Sequence, residues 1–575
     1  MADVDVRRAS SATPSSISPA RPRYASLRGP ELHAPRPRRH LPLWLYDQDP
    51  SPASSRAASP TSSVRFIAPP SAPHAPSTAA RRLVKHHPLL LAIAATTLIK
   101  LLVGLGPYSG QDTPPMYGDF EAQRHWMEIT LHLPPREWYW YELEWWGLDY
   151  PPLTAYVSWL CGFVGNSRWF ALDASRGMEN ESLKLFMRLT VVVLDAVVWV
   201  PAVVWWARCR PGSASSRARS ASIIATLANP CLLLIDFGHF QYNSVMLGLT
   251  LLAACAFVNK RYLVGAVLFS LSLSFKQMAL YYAPAIGIFL LATCIQTPLL
   301  FPKLAAVTTA TFLLVFAPFL STLPQAIHRI FPFARGLFED KVANFWCFTN
   351  VLIKWRLLLS VQTLVRLSTV LTVLAFLPAV LLMAQAPEPR LLPYALLTSS
   401  LAFFLFSFQV HEKTILVPLL PALMLTTKSE WITLFSNTAA FSMWPLLKRD
   451  GLGLQYIATL LLWNRLVGSN PFARFDKRDV VKLLSVGVYT AAFTLHLAEL
   501  LIPAPARYPD LWAVANVLVC TPVFFAVWAW SVKAGMEERW AGAPILTTKV
   551  HSRANSLSPA TPRPKSRLSR ESLVS

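Results

Sequence analysis

The sequence predicts an all-α membrane protein with many transmembrane helices, and three observations carry this prediction. Of its 575 residues, 53% are hydrophobic and only 15% are charged, whereas a soluble domain carries about 25% charged residues. Apolar runs of about 17–25 residues, long enough to cross the hydrocarbon core as helices, recur along most of the chain. In lipid the backbone must satisfy its hydrogen bonds within each segment, which a helix does.

Fourteen apolar runs qualify as candidate spans. They cover residues 89–107, 185–207, 221–236, 243–258, 262–275, 281–297, 302–320, 364–384, 391–407, 414–427, 430–447, 453–468, 480–502 and 510–532. A further apolar segment, 152–166, is interpreted as an amphipathic helix at the membrane surface, where its Tyr156 and Trp159 are typical residues. Counting it as a span would move every later basic loop to the opposite side.

Basic loops orient the predicted helices, because short loops rich in Lys and Arg stay on the cytoplasmic side. Such clusters follow the second, fourth and twelfth spans, at 208–219, 259–261 and 474–482. All three lie on one side if both termini are cytoplasmic. The first loop, 108–184, holds 11 acidic and 5 basic residues and is predicted to lie on the opposite, luminal side.

The net charge of +22 is concentrated at the two ends of the chain. Residues 1–88 hold 13 Lys/Arg and 5 Asp/Glu, a net of +8, and residues 549–575 hold 6 and 1, a net of +5. Both ends are rich in Ser, Pro and Arg without apolar periodicity, so we predict disordered cytoplasmic tails at 1–88 and 533–575 around a membrane domain at 89–532. Basic tails beside a bilayer face anionic lipid, and no nucleic-acid partner is expected.

Several soluble-enzyme classes are excluded by missing motifs. There is no Walker loop and no GxGxxG string, which argues against an ATP-driven pump and a dinucleotide enzyme. Seven cysteines without a CxxC pair are interpreted as buried small side chains, and no zinc spacing is present. Asp47-Gln48-Asp49 matches the DxD pattern of metal-dependent sugar transferases, but it stands in a predicted disordered tail and is interpreted as a chance match.

Ionisable residues concentrate in the first loop, at the edge of the hydrocarbon region, where such groups are costly and usually functional. Within ten residues stand Asp119, Glu121, Arg124, His125 and Glu128. On a helix the last four would share one face, by i, i+3, i+4 and i+7 spacing. An aromatic run follows at 138–146, and then Asp149-Tyr150 before two prolines.

Four further loops on the predicted luminal side carry polar residues in apolar surroundings. They are 236–243, which includes His239 and Gln241; 275–277; 325–345, which includes Arg335 and Lys341; and 408–413, which includes His411, Glu412 and Lys413. Helix capping or interfacial anchoring would explain any one of them. Their convergence on one side favours a functional site instead.

Seven strings in these loops resemble one enzyme family. They are GDFEAQRHWMEIT, WGLDYPPLTAY, SRGMENESLKLFMR, HFQYNSVMLGL, FKQMALYYAP, RIFPFARGLFEDKVANFWC and FQVHEKTIL. Together they resemble the dolichyl-phosphate-glucose-dependent glucosyltransferases of N-glycan assembly, over about residues 85–535. That family has the GT-C membrane fold and works in the endoplasmic reticulum membrane. EAQRHWMEIT and WGLDYPPLTAY resemble the branch that adds the first glucose, and the branch that adds the second is the alternative.

The resemblance implies roles for individual residues. Asp119, in the GDFE string, matches the family's catalytic aspartate, and Asp149 matches its second first-loop aspartate. The HEK string places His411, Glu412 and Lys413 near the donor phosphate. Candidates for substrate binding beside them are Arg335, Lys341, His239 and Gln241, and candidates for positioning the acceptor or the loop are Glu121, Arg124, His125 and Tyr150.

The chemistry of the implied reaction agrees with these residue types. A β-linked glucosyl phosphate giving an α-linked product inverts the anomeric centre, which needs one carboxylate to take the acceptor hydroxyl proton. We assign that base to Asp119, with Asp149 as the alternative. The leaving lipid phosphate needs cationic donors rather than a strong acid. The implied partners are dolichyl-phosphate-glucose, a dolichyl-pyrophosphate oligosaccharide and the bilayer, with no metal or other cofactor.

Two other classes of function stay open on the residues alone. A polytopic transporter or scramblase is one, although transporters place their charged sites near the bilayer midplane, and here most ionisable residues stand in loops. A structural subunit of a glycosylation complex is the other, although it would not need Asp119. The sequon Asn180-Glu181-Ser182 is a candidate glycosylation site, because it stands in the predicted luminal loop.

Overall fold

The computed structural model describes residues 87–541 except 211–214, 332–340, 426–428 and 471–478, and within these residues it contains helices and no strand. The predicted tail at 1–88 therefore lies almost entirely outside the described residues. The last helix continues nine residues past the predicted end at 532, to Ala541. Its final turns are polar and include an i, i+4 ion pair between Lys533 and Glu537 at 3.7 Å. Such a pair stabilises a helix whose side chains face water.

The helices are numbered here in chain order, with tight or wide helical turns counted in the helix that they continue. They are α1 Pro88–Gly104, α2 Asp119–His132, α3 Pro152–Val164, α4 Glu181–Cys209, α5 Ala218–Phe240, α6 Asn243–Val258, α7 Tyr262–Phe275, α8 Gln277–Gln296, α9 Leu300–Ile330, α10 Phe345–Thr349, α11 Trp355–Leu358, α12 Val361–Gln385, α13 Pro389–Phe406, α14 Leu416–Met424, α15 Glu430–Ser442, α16 Trp444–Arg449, α17 Gly453–Val467, α18 Val480–Leu501 and α19 Leu511–Ala541.

Each of the fourteen predicted spans coincides with helical structure, and several ends agree to the residue. Among the described residues, eight helices are long and apolar enough to cross a membrane: α4, α5, α8, α9, α12, α13, α18 and α19. The apolar helices α1, α6 and α7 are shorter, with 17, 16 and 14 residues. The chain is thus a polytopic helical membrane protein, and the count of fourteen spans stays a prediction.

The helices divide into buried ones and ones that expose apolar side chains. Most of α5 and α13 is buried inside the protein, whereas only a small part of α9 and α18 is buried. Leu314, Leu500 and Phe493 on these outer helices are 76%, 81% and 69% exposed. Large apolar side chains in such numbers have no place facing water, so these faces are the ones that contact lipid.

The segment between α1 and α4 folds over one end of the bundle. It contains α2 and α3, which pack against each other. Helix α3 has 13 residues and therefore reaches about 20 Å, too short for a hydrocarbon core of about 30 Å. The Tyr156 hydroxyl donates to the Val315 carbonyl at 2.7 Å, and Trp159 is 44% exposed. These features agree with the prediction that 152–166 does not span the membrane.

All seven cysteines lie in the described part of the chain, and none of them forms a disulfide there. The absence of a disulfide framework stays a prediction.

Candidate active site

Asp119 is the first residue of α2. Two glycines, Gly110 and Gly118, allow the backbone before it to pack closely against Ser109. A β-carbon at Gly118 would lie 2.5 Å from the Ser109 hydroxyl oxygen, and one at Gly110 would lie 1.9 Å from the Gly118 nitrogen. The close approach lets the Asp119 N–H donate to the Ser109 hydroxyl at 3.2 Å. The Ser109 N–H in turn donates to the His239 carbonyl at 3.0 Å. The glycine of the GDFE string thus allows Asp119 to dock onto the end of α5.

Three side chains from two other loops converge on one oxygen of Asp119. His239 Nε2 lies 3.1 Å from Asp119 Oδ2, and Gln241 Nε2 and Lys413 Nζ both donate to that same oxygen. The Asp119 side chain keeps 20% of its surface exposed, and the Lys413 side chain 18%. Among the described residues all three contacts use Oδ2, so Oδ1 is the oxygen that can face a substrate.

The end of α5 explains how His239 and Gln241 reach the same carboxylate. Residues Leu233–Phe240 form wide π-helical turns, a feature that often occurs at functional sites. Phe240 then has φ of +89°, a conformation that a bulky residue adopts only when its surroundings enforce it. Gln241 is extended. This break in the helix turns two nearby side chains towards Asp119.

A second cation, Lys276, is linked to Asp119 through the Gln241 side chain. Its ammonium donates to Gln241 Oε1 at 3.2 Å and to Asn243 Oδ1 at 2.7 Å, and it lies 4.8 Å from the centre of the Tyr150 ring. Asn243 is fixed from behind, because its side-chain nitrogen donates to Asp236 at 2.9 Å. Lys276 is therefore held rigidly between the loops that follow α5 and α7.

Burial and neighbouring charges shift the pKa values of Asp119 and Lys276, which both stand outside the candidate spans. Burial alone would raise the pKa of Asp119, but the charges of Lys413 and His239 outweigh it and lower that pKa well below its usual value. Burial and the charge of Lys413 lower the pKa of Lys276 to about 7, against the opposing attraction of Asp236 and Asp119. Asp119 is thus ionised at neutral pH, and Lys276 loses its proton close to neutral pH.

The predicted second aspartate, Asp149, stands in the wall of the same region. Its charge acts on Lys276, and its carbonyl accepts from the Gln277 side chain at 3.4 Å. Tyr150 beside it supplies the ring under Lys276, and its carbonyl accepts from the Tyr139 hydroxyl at 2.8 Å. Asp149 and Tyr150 therefore belong to the surroundings of Lys276, while Asp119 is the aspartate that Lys413 contacts.

The HEK string begins the short helical turn before α14. His411 and Glu412 are half-buried there, and Lys413 points to Asp119. The Thr414 N–H donates to the His411 carbonyl at 3.0 Å, which closes the turn. The structure thus brings the HEK string and the GDFE string, 294 residues apart, into direct contact.

Glu121, Arg124, His125 and Glu128 form a separate, closed cluster. The Arg124 guanidinium donates to both oxygens of Glu121 at 2.6 Å, to Glu128, and to the Trp169 carbonyl at 2.8 Å. His125 Nδ1 lies 2.7 Å from Glu128 Oε2. The predicted shared helical face is present, but the side chains of Arg124, His125 and Glu128 have no exposed surface. The cluster fixes the loop 167–177 rather than facing a substrate.

Three other predicted residues lie outside the Asp119 cluster or outside the described chain. Lys341 pairs with Asp510 at 3.0 Å, and Arg335 falls in the segment 332–340 that the structure does not describe. Asn180 is exposed and begins α4, where its side-chain oxygen accepts from the Leu183 N–H at 2.7 Å. Its glycosylation stays a prediction.

The structure adds residues that were not named as site residues from the sequence. Asp450 Oδ2 lies 2.5 Å from His239 Nδ1, so His239 has a carboxylate at each ring nitrogen. Lys276 and Asn243 were visible only as polar residues in loops. Asp450 stands in a short turn between α16 and α17, directly after Lys448 and Arg449, and this sequence looks like an ordinary capping turn between two helices.

The Asp119 cluster has the parts of a group-transfer site. A carboxylate that is ionised and partly exposed can accept a proton, and two nearby ammonium groups can hold an anion. The other carboxylates of α2, Glu121 and Glu128, are occupied by Arg124 and are buried, so they are not rivals for the same task.

Comparison with known proteins identifies the family. The model of the ALG6, ALG8 glycosyltransferase family matches residues 96–531. A Schizosaccharomyces pombe protein named probable dolichyl pyrophosphate Man9GlcNAc2 alpha-1,3-glucosyltransferase is 45% identical over 461 residues, which is 76% of this chain and 90% of the relative. The Saccharomyces cerevisiae protein of that name, without "probable", is 45% identical over 498 residues, 77% of this chain and 90% of the relative.

A vertebrate relative gives the same result at greater distance. The Gallus gallus protein named dolichyl pyrophosphate Man9GlcNAc2 alpha-1,3-glucosyltransferase is 38% identical over 485 residues, which is 76% of this chain and 95% of the relative. The match with the family model includes every residue that contacts Asp119 or Lys276 in the structure. With that coverage, and with an ionised carboxylate and two cations gathered at one site, the chain is a member of the ALG6, ALG8 glycosyltransferase family.

Proposed function

We propose that this enzyme transfers the first glucose from dolichyl-phosphate-glucose to the nine-mannose oligosaccharide of a dolichyl pyrophosphate, in an α-1,3 linkage. The relatives' names supply the acceptor and the linkage, and both yeast relatives and the chicken relative carry the same name. The observation that carries the mechanism is the contact of Asp119 with Lys413, which joins a base and a phosphate-binding cation in one site.

In this mechanism Asp119 takes the proton of the acceptor hydroxyl while that oxygen attacks the glucose carbon that bears the phosphate. The carbon–phosphate-oxygen bond breaks on the opposite face, and the lipid phosphate leaves with the bonding electrons. Because the attack is in line, a β-linked donor gives an α-linked product. General-base assistance of this kind contributes about 10²–10⁴-fold to the rate.

Two anions compete for the Lys413 ammonium during this reaction, the Asp119 carboxylate and the donor phosphate. Without substrate it pairs with Asp119, which keeps the carboxylate ionised but makes it a weak base. A bound phosphate competes for the same ammonium, and moving Lys413 towards the phosphate raises the basicity of Asp119. Donor binding would thereby both place the leaving group and activate the base.

His239 and Lys276 form the part of the proposed site that surrounds Asp119 and Gln241. Asp450 holds the His239 ring at 2.5 Å, which fixes the ring that contacts Asp119 at 3.1 Å. Lys276 supplies a second positive charge on the far side of Gln241. His411 and Glu412 stand next to Lys413 in the same turn and are assigned to the donor phosphate region. With this many cations a metal ion is not required, and we expect the enzyme to work without one.

The proposed setting is the membrane of the endoplasmic reticulum, with both termini in the cytoplasm and the active site in the lumen. Asp119, His239, Lys276, Lys413 and Asp450 come from loops that the predicted topology places on one side, and their mutual contacts support that assignment. We also assign the GT-C fold and fourteen spans, on the match of each predicted span with a helix.

An assay with purified components tests the proposed function. The full chain in detergent is given dolichyl-phosphate-glucose and the nine-mannose acceptor, and the product is tested for one added glucose in an α-1,3 linkage. We expect transfer with and without a metal chelator. Transfer only to an acceptor that already carries one glucose would assign the chain to the second glucose addition. Failure with both acceptors, in protein that is folded, would contradict the enzyme assignment.

A further inference from the structure

A groove between α1 and α4 lies apart from the residues that contact Asp119. Its cavity of about 490 Å³ is walled by leucines, which include Leu98, Leu101, Leu105, Leu185 and Leu189. These five side chains are between 38% and 73% exposed. Because α4 is a candidate span, a row of exposed leucines along it faces the hydrocarbon of the bilayer.

One wall of this apolar groove carries a buried cation whose hydrogen bonds are incomplete. Arg188 lines the cavity and is 5% exposed. Its Nη2 donates to the carbonyls of Pro107 at 3.0 Å and Gly238 at 2.7 Å. Its Nε and Nη1 reach no acceptor among the described residues. Unused N–H groups on a buried guanidinium are costly, which indicates a ligand with acceptor atoms.

The other charges at the groove do not neutralise Arg188. Lys100 is paired with Asp195, and both are buried. Lys184 Nζ lies 3.8 Å from Glu181, whose side chain is 87% exposed, so water weakens that pair. Lys184 also donates to the Leu105 carbonyl at 3.4 Å. The end of the groove where α1 finishes and α4 begins therefore has an excess of positive charge.

The charged end is also the end that faces the segment carrying Asp119. Helix α1 ends at Gly104 and α4 begins at Glu181, and the segment between them contains α2. An apolar channel with cations at its mouth matches a lipid that has an anionic headgroup at the membrane surface. A free anion would satisfy Arg188 but would leave the leucines uncovered.

We propose that this groove binds a membrane lipid through its phosphate group, at a site separate from the proposed glucosyl-transfer site. The phosphate oxygens accept from Arg188 and Lys184, and the hydrocarbon chain lies along the leucines of α1 and α4. The guanidinium suits phosphate, because it keeps its charge and each of its unused N–H groups, on Nε and Nη1, can donate to an anionic oxygen. The proposal does not depend on which sugar the enzyme transfers.

Native mass spectrometry of the purified full chain in detergent tests the proposal. The probes are dioctanoyl phosphatidate, dioctanoylglycerol, which lacks the phosphate, and inorganic phosphate, which lacks the chains. We expect phosphatidate to bind more tightly than either. Arg188→Gln should weaken phosphatidate binding about tenfold or more. Arg208→Gln, at the exposed opposite end of α4, is the matched control and should leave it unchanged.

Two further variants keep the test decisive if Arg188→Gln folds poorly. Leu189→Trp fills the groove without changing its charge and should also weaken phosphatidate binding. Lys413→Ala should not, because that lysine belongs to the Asp119 cluster. Equal binding of dioctanoylglycerol would overturn the role of the phosphate, and equal binding of inorganic phosphate would overturn the role of the chain. Loss of binding in Lys413→Ala alone would move the lipid to the Asp119 site.

Discussion

Helix α2 carries carboxylates in two opposite situations within ten residues. Asp119, at its first residue, is partly exposed, and its Oδ2 is shared by His239, Gln241 and Lys413. Glu128, two turns later, is fully buried, and Arg124, His125 and Ser175 occupy its oxygens. Both look alike in the sequence, as acidic residues of one loop.

The surroundings of these two residues distinguish a structural carboxylate from a reactive one. Around Glu128 each charge is matched by a fixed partner and water is excluded, so the cluster stabilises one arrangement of the loop. Around Asp119 three donors share one carboxylate oxygen and the side chain keeps 20% of its surface exposed, so the site can exchange a partner for a substrate.

Mutations in the closed cluster around Arg124 and Glu128 should mainly lower the stability of the folded protein. Arg124→Met leaves Glu121 and Glu128 buried without their cation, and breaking a buried ion pair in this way costs about 3–5 kcal/mol. A thermal unfolding scan in detergent should show a large drop in midpoint, with near-normal transfer by the molecules that stay folded. Arg176→Met is the matched control, because the side chains of its partners Glu142 and Asp173 are 30% and 69% exposed, and it should cost under about 1 kcal/mol. A wild-type midpoint for Arg124→Met would contradict the structural role.

Mutations in the cluster around Asp119 should change mainly substrate binding and reaction rate. Lys413→Ala removes the cation that faces Asp119 and the proposed donor phosphate, and the donor KM should rise about tenfold to a hundredfold. Lys341→Ala serves as the control, because Lys341 pairs with Asp510, and it should behave like wild type. If the two variants exchanged these results, the donor phosphate would lie near the loop at 341 instead.

Asp450 should act on the reaction only through His239. Asp450→Asn weakens the contact that fixes the ring, and kcat should fall about tenfold, the equivalent of about 1.4 kcal/mol or one hydrogen bond. The donor KM should stay near its wild-type value, since Asp450 contacts no proposed substrate group. Asp450→Glu should recover part of the loss. A change in the unfolding midpoint with unchanged kcat would show that the contact serves stability alone.

The pH dependence should be the smallest effect. Lys276, with its pKa lowered to about 7, is charged below that pH and loses its charge as pH rises through it. Donor kcat/KM should therefore fall roughly threefold from about pH 6 to about pH 8, since Lys413 still supplies one charge. Lys276→Arg stays charged and should flatten this fall. Asp119, whose pKa is lowered, should add no acidic limb in this range, and a flat wild-type profile would remove Lys276 from donor binding.

Much of the helical architecture follows from the sequence, because apolar runs in a membrane protein must be helical. The boundaries 243–258 and 262–275 were predicted to the residue, and the short helix at 152–166 was predicted not to span. The last helix was predicted nine residues too short, because its final turns are polar and stabilised by side-chain pairs rather than by lipid.

The site could be predicted only where a residue matched the family strings. Asp119, His239, Gln241 and Lys413 were named from the sequence, and the structure brings them into contact. Asp450 was not, because its partner is 211 residues away and its own turn has no unusual composition. The closed state of Glu121 and Glu128 was also invisible, since spacing shows that side chains share a face but not that Trp169 and Ser175 cover them.

Asp119→Asn and Asp149→Asn, compared in the transfer assay, test most directly which aspartate is the base. Both substrates are saturating, and rates are expressed per folded molecule. We predict that Asp119→Asn unfolds near the wild-type temperature, still binds donor and loses about 10²–10⁴-fold in turnover. Asp149→Asn should lose less, because Asp149 acts on Lys276 and does not take the proton. Near wild-type turnover by Asp119→Asn, with Asp149→Asn inactive, would contradict the assignment and move the base to Asp149.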